Sequence, residues 1–123
     1  MFSKKEDKAK KDVLDVEEFL ERVQRDKKLF MEVIEVFVKG FTKKREEIEA
    51  AVGRKDHQQI IHLVHGLKGA CANIAAKNLR ESCLALEQMG MNNDFNAMAV
   101  VLERLDRNFK ELLGYIAQIK KEI

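Results

Sequence analysis

The sequence predicts an all-α protein, an up-down-up-down four-helix bundle with an additional short N-terminal helix. Three observations point there. Apolar residues recur at three- and four-residue steps through four long segments, and no strand pattern competes. Proline is absent from all 123 residues, so nothing fixes a break inside a long helix. Cap-like and glycine-containing stretches punctuate the segments and leave only short connections, as antiparallel bundles require.

Residues 1–12 (MFSKKEDKAKKD) are polar and mixed in charge, and are expected to form a flexible charged tail ahead of a single domain over 13–123. Asp15 with Glu18 resembles a capping box and starts a short helix over about 16–24. Asp26 is placed to cap the next helix. Phe30, Ile34, Phe37, Phe41, Ile48 and Val52 carry that helix to about residue 52, where Gly53 is a natural stop. Asp56 with Gln59 opens a helix over 57–73. A tight connection near 73–76 leads to a helix bearing Leu79, Cys83 and Leu86, ended by Gly90. Asn92, Asn93 and Asp94 read as loop and cap. Phe95, Met98, Leu102, Leu105, Phe109, Leu112, Ile116 and Ile119 define the last long helix.

Composition excludes several classes. Lys plus Arg number 23 and Asp plus Glu 21, a net charge of +2 that argues against nucleic acid; no basic stripe interleaves with aromatics. No apolar run approaches the ~18 residues of a membrane span, and the lysine-rich start lacks the apolar core of a signal peptide. Cys71 and Cys83 occupy apolar helical positions without Cys-x-x-Cys spacing, as small core residues of a reducing compartment would. A cytoplasmic protein, free-standing and monomeric, is expected.

The functional signal lies between Ile61 and Ala75. Leu63, Val64, Leu67, Ala70, Cys71 and Ile74 form one apolar stripe, and His65 stands at its edge, turned toward solvent. Lys68 and Gly69 follow at three and four positions, so the three share one patch of helix surface. A nucleophilic imidazole, a cation and a bare backbone strip suit an exposed site that accepts a phosphoryl group. Glycine in mid-helix costs roughly 1 kcal/mol relative to alanine, which suggests a close approach at Gly69; Gly40 and Gly114 are read as helix-packing points. There is no phosphate loop, magnesium-binding carboxylate cluster or nucleotide fingerprint, so autonomous kinase activity is not expected. His62 and His65 stand at i, i+3, but no carboxylate or further histidine completes a metal set and Lys68 would repel one; no metal is expected.

These residues resemble the histidine phosphotransfer (HPt) family. Its helical His-x-Leu-Lys-Gly signature stands here as His65-Gly66-Leu67-Lys68-Gly69, followed by Ala70-Cys71-Ala72-Asn73-Ile74-Ala75. Phe37 and Phe41 precede it on a helix, Asp56 lies nine residues upstream, and Leu79, Cys83 and Leu86-Glu87 match the family's next helix. The likeness covers about residues 15–116. Ala75 stands where many members have glycine, and Val64 where alanine is usual.

The resemblance implies a phosphorelay intermediate that carries a phosphoryl group on the ring nitrogen of His65 distal to the backbone. It implies docking to a response-regulator receiver domain or a hybrid histidine kinase. Lys68 would stabilise phosphoryl charge, and Ile61, His62, Gly69 and Ala72, with the start of the next helix, would form the docking face. No cofactor is implied in this chain; magnesium and the aspartate belong to the receiver. The alternative is a helical interaction module that binds a kinase or receiver without phosphoryl transfer.

Overall fold

The computed structural model describes residues 8–122, and all the elements among them are helices. They are α1 (Lys8–Val13), α2 (Val16–Arg22), α3 (Lys27–Gly53), α4 (His57–Asn73), α5 (Lys77–Met91) and α6 (Phe95–Glu122). The four long helices form the bundle: α4 packs against α3 and α5, and α5 against α6. Large side chains close the remaining side. Phe41 of α3 stacks on Phe109 of α6 with ring centroids 4.0 Å apart, and Arg45 Nε donates to Asp106 Oδ1 at 2.7 Å. The core is continuous, with Phe30, Ile48, Ile60, Val64, Cys71, Leu86, Met98 and Leu105 fully enclosed.

Aspartates set the helix starts. Side chains of Asp15, Asp26, Asp56 and Asp94 accept from the amides of Glu18, Leu29, Gln59 and Ala97 at 3.0–3.2 Å. Each such cap contributes about 1 kcal/mol. The boxes at Asp15 and Asp56 are half-closed, because their own amides donate to Ala75 O and Ala51 O. The start of α5 has Ala76 and no side-chain cap.

The helices end close to where the sequence reading places them, but glycine is not the residue that turns the chain. Gly53 is the last residue of α3 and Gly90 the last but one of α5, and none of the described glycines has a positive φ. The left-handed residues that turn the chain are Gln24 (followed by Arg25, also left-handed), Lys55, Ala75 and Asn93, with φ between 55° and 62°. In each turn that residue's amide bonds three residues back and the next amide five back, as with Lys55 N to Val52 O and Asp56 N to Ala51 O. These paired bonds satisfy the last helical carbonyls, which stabilises the turn with or without glycine. Ala75 thus keeps the backbone turn of a glycine despite its side chain.

The N-terminal region is more ordered than the sequence suggests. The expected tail over 1–12 is helical from Lys8, because α1 lies on α5 and α6; residues 1–7 lie outside the described residues. Lys10 stands 5.9 Å from the centre of the Tyr115 ring, and Asp12 pairs with Lys77 at 3.7 Å. The short helix α2 is fastened to the end of α4 by Arg22, whose guanidinium donates to Ala72 O and, at 2.9 Å, to Asn73 O. Gly40 and Gly114 do not serve packing: a Cβ at either would meet nothing within 4 Å.

Candidate functional site

His65 sits in the third turn of α4, and its side chain is 71% exposed. The helix presents it because Leu63, Val64 and Leu67 are buried on the opposite face. Its Nδ1 lies 2.9 Å from Oε2 of Glu87 on α5. A carboxylate can only accept, so Nδ1 carries the proton and donates, which leaves the Nε2 lone pair facing solvent. The other oxygen of Glu87 accepts from Lys68 Nζ at 2.7 Å.

Glu87 is therefore the hinge of the site. Its side chain is only 9% exposed, and it occupies the buried stripe of α5 with Leu79, Cys83, Leu86 and Gly90. The hydrogen bond from Lys68 holds its carboxyl below the usual carboxylate range; burial opposes this, and the His65 bond assists it. An ionised, two-ended acceptor fixes the ring of His65 and the stem of Lys68 together. The sequence reading names Glu87 as part of a helix pattern and assigns it no role. Its signal was a carboxylate on a largely apolar stripe, where an unpaired charge is too costly to stand.

The remaining residues of interest follow the same face of α4. Gly69 is exposed, and a Cβ there would meet nothing within 4 Å, so the backbone beside His65 is bare. His62 is exposed, while Ile61 and Ala72 are half-buried. Ile61 rests on Gly90 so closely that a Cβ at 90 would stand 2.9 Å from Ile61 Cγ1. Lys44 of α3 comes over the start of the site, where a Cβ at Gly66 would lie 3.6 Å from its Nζ. Among the described residues no group of three or more His, Cys, Asp or Glu could hold a metal ion. Cys71 and Cys83 are free and buried between α4 and α5. Contact with Cys83, then burial, drives the Cys71 thiol far above the ordinary thiol range, so it is no nucleophile.

The Hpt domain family matches residues 32–121, and the chain belongs to that family, whose members are phosphocarriers of two-component phosphorelays and interact with histidine kinases and response regulators. Among solved structures it is similar to histidine-containing phosphotransfer protein B (HptB) from Pseudomonas aeruginosa PAO1, with a TM-score of 0.81 at 20% identity, over 89% of this chain and 96% of that one. That likeness is one of fold. No curated protein matches the chain.

Proposed function

We propose that His65 is the phosphoryl acceptor and donor, exchanging the group at Nε2 with the aspartate of a receiver domain in the cytoplasm. The observation that carries this is the Nδ1–Glu87 bond on an imidazole otherwise open to solvent. In the forward step Nε2 attacks phosphorus, the N–P bond forms as the aspartyl O–P bond breaks, and the carboxylate leaves. The positive charge that develops on the ring is met at Nδ1 by Glu87, and the Nδ1 proton stays in that bond. Reversal uses the same groups. Lys68, held beside the ring by Glu87, supplies positive potential for the phosphoryl oxygens.

The sequence carries no phosphate loop, and no metal-holding cluster stands among the described residues; on this reading the receiver supplies the magnesium and the aspartate, and the protein acts without kinase activity of its own. The docking face is Ile61, His62, Gly69 and Ala72 around His65, a small interface of the transient kind. The protein works as a monomer. The test is incubation with phosphorylated receiver domains. Label that is acid-labile and base-stable should reach the wild type, persist in the His57→Gln and His62→Gln variants, and vanish in His65→Gln. Unreduced labelling of His65→Gln would reject the assignment, and binding of receivers without any label would favour the interaction-module reading.

A further inference from the structure

Among the described residues, a cation without an ion pair of its own comes beside His65 from a different helix. Lys68 is held by Glu87 at 2.7 Å, so it offers its potential only from a fixed position. Drawing Lys68 fully onto a phosphoryl group would strip a 9% exposed carboxylate of its cation beside an incoming dianion, which is a costly exchange. Lys44 carries no such commitment. It is half-buried on α3, and among the described residues it makes no ion pair or hydrogen bond. Its ammonium lies over Gly66, the residue next to His65, within 3.6 Å of where a Cβ would stand. Lysine is a flexible point charge, so an ammonium resting there reaches its neighbour's phosphoryl oxygens by rotation of its stem.

We propose that Lys44 is a second phosphoryl-contacting cation, which pairs with the oxygens of the phosphorylated His65 side chain and stabilises their charge during transfer. The proposal rests on His65 being the acceptor. It divides the labour between two lysines: Lys68 is anchored and holds the ring's surroundings in place, while Lys44 is free to follow the phosphoryl group.

The test separates the two claims. Wild type, Lys44→Gln and Lys44→Arg are treated with phosphoramidate, which transfers its phosphoryl group to imidazole and releases ammonia, so no partner protein is involved. Failure of the wild type to form phosphohistidine at His65 under these conditions, and with phosphorylated receivers, would remove the acceptor assignment itself. With the wild type labelled, phosphorus-31 NMR follows the ionisation of the bound phosphoryl group against pH. A neighbouring cation favours the dianion, so Lys44→Gln should shift that titration to higher pH, and Lys44→Arg should restore it. Transfer to a receiver should slow about three- to tenfold in Lys44→Gln, as loss of a partly exposed charge pair predicts, and the deficit should shrink as salt is added. An unshifted titration would overturn the proposal even if transfer slows, since Lys44 would then contact the partner and not the phosphoryl group. Equal behaviour of Gln and Arg variants would overturn it as well.

Discussion

At the residue scale the site depends on one buried carboxylate. Glu87 is ionised in the folded protein at a pH where an ordinary carboxyl begins to protonate, because Lys68 and His65 both donate to it. Its depressed pKa makes its stabilisation fully present above the unfolded value of ~4.3 and lost as pH falls through the lower folded value. Glu87→Gln should therefore lower unfolding free energy by about 1–2 kcal/mol at pH 7 and by less once the pH falls well below the ordinary carboxylate range, read by urea denaturation at both. An equal loss at both would mean that packing, not charge, explains the residue. Gly69 gives a second check. With nothing near its Cβ position, Gly69→Glu should keep or raise the melting temperature, by roughly 0.5 kcal/mol of helix propensity, while cutting transfer tenfold or more. Melting and transfer measured on one preparation decide it; a stable variant that transfers normally would exclude Gly69 from the docking face. His65, Lys68 and Gly69 were legible in the sequence because one helix carries all three and spacing fixes their shared face. Glu87 and Lys44 reach the site from neighbouring helices, and spacing along one helix says nothing about how its neighbours are rotated.

At the element scale the helix starts and ends were both readable, but the device that turns the chain at the ends was not. Aspartate declares a start through its side chain, and Asp15, Asp26, Asp56 and Asp94 all act as their positions suggest. Glycine was read as a stop at 53 and 90, yet the turns use Lys55 and Asn93, whose backbone bonds hold them left-handed. Gly90 has another task, letting α5 approach α4 at Ile61. Gly90→Ala gains up to about 1 kcal/mol in helix propensity but sets a methyl against Ile61 Cγ1, and overpacking of this kind costs about 1–3 kcal/mol. The balance should be a net loss near 1 kcal/mol, seen as a lower urea midpoint, with docking weakened because Ile61 must move. A stabilised variant with unchanged docking would show that the two helices have slack there. The helix over 8–13 was missed for a related reason: its sequence is as polar as a tail's, and its order comes from α5 and α6 beneath it.

At the scale of the whole molecule, the bundle holds a nucleophile outward on a stiff surface. The core fixes α4 between α3 and α5, so a carboxylate from one side and a lysine from the other converge on the helix that bears His65. No described helix is long and apolar enough to cross a membrane. A carrier needs its reactive atom to enter a partner's pocket, and a convex helix offers that where a cleft would not. The proposed function names the reactive atom as well as the residue: with Nδ1 held by Glu87, Nε2 is the nitrogen left for the group. The most direct measurement is a long-range proton–nitrogen NMR correlation on protein with nitrogen-15 histidine, before and after phosphorylation by a receiver. The account predicts that His65 alone changes, that Nδ1 keeps its proton, and that Nε2 becomes bonded to phosphorus. A phosphoryl group on Nδ1 of His65, or on His57 or His62, would contradict it.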